Sequence, residues 1–146
     1  MKIESENKQA VLALESCGAE LSAYPSLCFS IEFKSRDVSC VVAEVWIEIE
    51  KMRGFLNALE TLDTTRQGEA ALEGISPGEL GLRIFPLDGR GHIGLEVKLM
   101  GMRWIGDNHK RIEYGCHTSF ELDPTALSHI TNDFRSLINK QRDETV

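Results

Sequence analysis

Gly89-Arg-Gly91-His-Ile-Gly94 has the glycine spacing of a dinucleotide-binding loop and follows a strand-like segment. Such a loop works because a helix opens directly after it and turns its N-terminal N–H groups towards a pyrophosphate. Here the next residues, Ile93-Gly-Leu-Glu-Val-Lys-Leu99, alternate at the period of a strand. The segment reads as a hairpin turn, and no dinucleotide is expected. The four histidines, His92, His109, His117 and His129, have no partner ligands at the spacing of a structural zinc site. Cys116 and His117 are adjacent, so a strand aims them at opposite faces. No metal or cofactor is expected. Ser76 lies in an Ile-Ser-Pro-Gly turn without a GxSxG frame, and no nucleophile with its base can be assigned. The chain is not expected to be an enzyme.

Two groups of residues suit recognition better than catalysis. Glu44, Glu48 and Glu50 form a carboxylate-rich run where a strand gives way to a helix. The run reads either as solvated surface or as a patch facing a basic partner. Arg103, Trp104 and Asp107 lie in Gly101-Met-Arg-Trp-Ile-Gly106-Asp-Asn-His109, which reads as a loop too long for a plain hairpin. Trp and Arg dominate the residues that anchor protein interfaces, so this loop is a candidate anchor. The alternative is that Trp104 folds back over the edge of the core.

At 146 residues the chain reads as a single domain, 1–146. A chain of that size buries roughly 68–70% of its extended surface and supports a core without staples. Its net charge of −7 disfavours general nucleic-acid binding, which needs clustered Lys and Arg. The opening residues Met1-Lys-Ile-Glu-Ser-Glu-Asn-Lys8 contain no apolar signal segment, and no run approaches the roughly 20 apolar residues of a membrane helix. Those features point to the cytoplasm. The four cysteines, Cys17, Cys28, Cys40 and Cys116, form no CxxC pair and are expected to be reduced, three of them as small hydrophobes within strands, with a reactive thiol as the alternative.

The elements follow from apolar periodicity. Ala10–Leu14 predicts a first strand; Leu27–Lys34 alternates with Leu27, Phe29, Ile31 and Phe33 on one face; Val38–Ile47 returns. From Ile49 the spacing becomes helical, with Ile49, Met52, Phe55, Leu56, Leu59 and Leu62 on one side. Glu69–Ile75, Leu80–Phe85, Ile93–Leu99 and Arg111–Glu121 predict four more strands. Asp123 then caps a last helix with Pro124 at its first position, Leu127, Ile130, Phe134, Leu137 and Ile138 on its apolar stripe, and Lys140 and Arg142 at its end. The order β-β-β-α-β-β-β-β-α predicts an α+β, two-layer fold. A single mostly antiparallel sheet of six or seven strands would carry both amphipathic helices on one face.

Taken in order, Val45–Leu59, Gly68–Glu73, Gly78–Ile84, Asp88–Val97 and Phe120–Leu127 resemble the WapI-type immunity proteins of bacterial polymorphic toxin systems. The resemblance runs from Leu27 to Ile138 and carries no site motif. It implies a protein that binds and blocks a cognate toxin, often a nuclease, made by the same cell. A self-associating scaffold that forms a homodimer, and a small-ligand binder or enzyme with a pocket between sheet and helices, are the competing readings.

Overall fold

The computed structural model describes residues 1–107 and 110–143; His109 and the side chain of Arg142 lie outside the described residues. Four strands come first: β1 (Lys2–Glu4), β2 (Ala10–Glu20), β3 (Ser26–Ser35) and β4 (Ser39–Glu48). Helix α1 (Ile49–Thr65) leads to β5 (Ala70–Glu73), β6 (Leu80–Pro86), β7 (Ile93–Ile105) and β8 (Lys110–Leu122), and α2 (Ala126–Asp143) follows. Four strands and a helix thus occur twice in succession. The class is α+β, as the periodicity predicts.

The single sheet of six or seven strands is not what forms. Two antiparallel sheets of four strands are present, in the orders β1-β2-β3-β4 and β5-β6-β7-β8. The division falls at α1. A helix of 17 residues separates β4 from β5, so no tight turn brings them into one ladder. Sequence order also missed β1, whose three residues contribute one buried side chain, Ile3.

Both sheets and both helices feed one apolar cluster. Phe33 of β3 stacks on Phe120 of β8, with ring centroids 6.2 Å apart, and so joins the sheets. Phe55 of α1 meets Phe134 of α2 edge to face at 4.9 Å. Arg135 of α2 reaches Glu60 of α1 at 2.7 Å on the helix pair's rim. Phe55, Leu59, Leu127 and Phe134 are all buried, as their stripes require, but among two sheets rather than over one.

Both helix starts use the chain around them. Glu48 stands at the N-cap of α1 without a side-chain cap. Instead the Ile49 N–H donates to the Pro25 carbonyl at 3.0 Å, a tertiary bond that satisfies one orphan donor. Asp123 and Pro124 form a turn just before α2 rather than its first residues. Asp123 Oδ1 accepts from the Thr125 N–H at 2.9 Å and its hydroxyl at 2.7 Å.

Pairing within the first sheet slips twice. Between Phe29↔Val45 and Ile31↔Val42, β4 carries one residue more than β3, a bulge at Ala43–Glu44. That extra residue lets Val42 and Val45, three apart, both face the core. A second bulge places Cys17 between Ser16↔Phe29 and Gly18↔Cys28.

Candidate functional site

The segment expected to be a loop is mostly strand. β7 continues through Gly101, Arg103 and Trp104 to Ile105, paired residue for residue with β8 down to Ile105↔Lys110. Its other neighbour stops sooner: β6 ends its pairing at Leu80↔Leu99, and the Glu79 carbonyl takes the Met100 N–H at 3.0 Å. Beyond Met100 the second sheet is therefore a two-stranded ribbon. The hairpin turn at its tip begins with Gly106, at φ +71°, and Asp107.

Alternation assigns the ribbon's faces. Met102 and Trp104 share one face with Arg111 and Glu113; Arg103 and Ile105 share the other with Ile112 and Tyr114. Trp104 is 64% exposed, and Met102 and Ile105 are exposed with it. Trp104 does not fold back on the core. Among its described residues the ribbon carries Arg103, Lys110 and Arg111 against Asp107 and Glu113, so the chain's acidity is concentrated elsewhere.

The base of the ribbon is fastened to the other sheet. Tyr114 lays its ring over Gly101, where a Cβ would come within 2.4 Å of the phenol carbon and oxygen. Its hydroxyl donates to the Val41 carbonyl of β4 at 2.9 Å, and the Arg103 guanidinium covers its ring at 5.2 Å from the centroid. Glycine at 101 is what lets this strut lie flat. Nothing in local patterning announces the strut, although an aromatic set opposite a strand glycine is a signal that reading β7 as continuous would have exposed.

The three glutamates are not one patch. Glu44 lies on the β4 bulge and lines a cleft of about 360 Å³ at the ribbon's base, shared with Ser76, Glu79, Met102, Arg111 and Tyr114. Burial raises the Glu79 carboxyl above its ordinary value of 4.5, while a hydrogen bond from Ser76 opposes the shift. No histidine lines this cleft among the described residues. Glu48 and Glu50 line a different cleft, of about 350 Å³, between Tyr24, α1 and Ile138 of α2. Both are engaged. Glu48 accepts from the Tyr24 hydroxyl at 2.5 Å, which raises the phenol's pKa, and Glu50 pairs with Arg53 one helical turn on. The bulge and the turn into α1 separate what the linear run places side by side.

The remaining motifs resolve simply. The glycines at 89, 91 and 94 lead into β7, a strand and not a helix. Asp88 caps their turn, accepting from the Arg90 N–H at 2.7 Å and meeting His92 Nδ1 at 2.5 Å. His117 faces outward towards Glu96 at 3.4 Å, while Cys116 contacts Cys40. Of the six candidate residues, Arg103, Trp104 and Asp107 lie on the ribbon and its turn, Glu44 flanks its base, and Glu48 and Glu50 stand apart. No helix among the described residues is long and apolar enough to cross a membrane. Comparison of the chain with protein-family models, with curated proteins and with solved structures finds no match.

Proposed function

We propose that this chain is a non-catalytic binding protein that grips another protein with its β7–β8 ribbon, and that it neutralises a cognate toxin domain in the cytoplasm as an immunity protein. The observation that carries the reading is the overhang: five residues of β7, Gly101–Ile105, pair only with β8 and present Trp104 and Met102 to solvent. A rigid aromatic on a fastened ribbon loses little conformational entropy on binding, as interface anchors require. The toxin partner comes from the resemblance of Val45–Leu59 and the later stretches to the WapI-type immunity proteins. The net charge of −7 supports long-range steering towards a basic partner, an effect on association rate that salt screens. It comes from outside the ribbon, whose described residues carry Arg103, Lys110 and Arg111 against Asp107 and Glu113.

The test is co-expression with the toxin-like product of the adjacent gene, followed by binding rates for the wild type and Trp104→Ala. Loss of the anchor is expected to raise the off-rate by about thirtyfold, equivalent to about 2 kcal/mol. The wild-type on-rate should fall between low and high salt. Wild-type binding that Trp104→Ala leaves unchanged would refute the anchor. Absence of binding, with a stable homodimer at micromolar concentration, would favour the scaffold reading.

A further inference from the structure

Outside the ribbon, the outer face of the first sheet holds two sulfurs in contact. Cys17 Sγ lies 2.7 Å from Cys28 Sγ, and both residues are free thiols. Ordinary alternation does not account for this pairing. Ser16 opposes the inward-facing Phe29, and Gly18 opposes Cys28 on the outward face. Cys17 is the extra residue between them, and the bulge aims it across the ladder at Cys28. The 2.7 Å separation is about 0.7 Å longer than a covalent S–S bond.

The two thiols differ in the way an exchange reaction uses. Cys17 is exposed, whereas Cys28 is 3% exposed, beneath it. Burial, with further contributions from Cys17, Glu44 and Glu79, pushes the Cys28 thiol up to about 12. Cys28 therefore stays protonated and is a poor nucleophile towards solutes, so Cys17 is the sulfur that meets them first. We propose that Cys17 and Cys28 form a thiol–disulfide exchange site, with Cys17 as attacking and Cys28 as resolving sulfur, whose substrates are small neutral or cationic disulfides. The charge preference follows from Glu44 and Glu79 near the pair and from the net charge of −7.

The steps balance without any other reactant. The Cys17 thiolate attacks one sulfur of RSSR, the S–S bond breaks, and RS⁻ leaves to take a proton, giving Cys17–S–S–R. Cys28 then gives up its proton and attacks the Cys17 sulfur, expelling the second RS⁻, which is protonated in turn. Two protein thiols are oxidised to one disulfide, and RSSR is reduced to two RSH. The other cysteine contact, Cys40 with Cys116, joins β4 to β8 and has no exposed member.

Trp46 makes the reaction observable. It pairs directly with Cys28 across the ladder, and its ring reaches to 3.8 Å from the Cβ position of Gly18. The full chain carrying Trp104→Phe, which leaves Trp46 as the sole tryptophan, would be treated with cystamine, quenched with acid, alkylated and weighed intact. The wild-type cysteine set is expected to lose two alkylatable thiols, map them to Cys17 and Cys28, and lose Trp46 emission. Cys28→Ser should stop with one cysteamine attached at Cys17, and Cys17→Ser should neither gain an adduct nor lose emission. Oxidised glutathione, which is anionic, should react more slowly than cystamine. A persistent Cys17 adduct in the wild-type set, oxidation mapped to Cys40 and Cys116 instead, or equal rates for both disulfides would overturn the proposal.

Discussion

Gly115→Ala is the substitution for which the structure gives the clearest magnitude. Gly115 opposes Met100 where β7 begins to outrun β6. A Cβ there would lie 2.1 Å from the Leu99 carbonyl oxygen and 3.0 Å from Met100 Cα. Both obstacles are backbone, so no rotamer change relieves them. The carbonyl must retreat by about 1 Å to restore ordinary contact, which pulls the ladder apart at the root of the ribbon. Overpacking of this kind costs about 1–3 kcal/mol, and each ladder bond opened adds about 1 kcal/mol. A total near 3 kcal/mol lowers Tm by about 6–12 °C for a chain of this size. Gly54→Ala is the internal control: it lies mid-helix in α1 with nothing within 4 Å of its Cβ position, and alanine there should add up to about 1 kcal/mol. Calorimetry and guanidinium unfolding of both variants read the difference. A Gly115→Ala protein as stable as the wild type would refute the close approach of β7 and β8 at this point.

Other perturbations separate the core, the turns and the proposed anchor. Phe134→Ala removes the ring that meets Phe55 edge to face, and should cost about 3–5 kcal/mol in denaturant unfolding. His92 is raised above its ordinary 6.5, first by its hydrogen bond to Asp88 and then by that carboxylate's charge. Asp88 is lowered from 3.8, first by the same hydrogen bond. A raised His stabilises below its unfolded value and loses that contribution as pH rises; a lowered Asp stabilises above its unfolded value and loses it as pH falls. The pair therefore stabilises mainly between these two ordinary values, pH 3.8 and 6.5, and the contribution fades above them as His92 deprotonates. NMR titration should show the His92 pKa falling in Asp88→Asn, and an unchanged value would exclude the contact. Trp104→Ala should leave unfolding within about 0.5 kcal/mol of the wild type, because the ring is 64% exposed.

The helices were legible because burial repeats at their own period. Ile49, Met52, Phe55, Leu59 and Leu62 are all buried on α1, and Leu127, Ile130, Phe134 and Ile138 on α2. The inward set of β3, Leu27, Phe29, Ile31 and Phe33, was legible for the same reason. Alternation says which face of a strand is apolar, but not which strand it pairs with. Two sheets meeting over Phe33 and Phe120 therefore give the same pattern as one. The ribbon was lost for a complementary reason. Arg103, Trp104 and Ile105 are exposed on both faces, so the burial that creates alternation is missing there. Glycines at 101 and 106 then made a strand look like a loop. The separation of Glu44 from Glu48 and Glu50 was not legible in the linear run, because the bulge at Ala43–Glu44 and the turn into α1 place them at different clefts. Contacts such as Tyr114 with Val41 and Cys17 with Cys28 join residues 73 and 11 apart in the chain, and local spacing does not encode them.

The measurement that bears most directly on the proposed binding role is a hydrogen-exchange comparison of the chain alone with the chain mixed with the protein encoded by its neighbouring gene. Recognition through the ribbon predicts new protection in residues 102–107 and 110–114, with little change in β2 or in the outer faces of α1 and α2. Protection concentrated around Tyr24, Glu48 and Glu50, with the ribbon still exchanging freely, would contradict it.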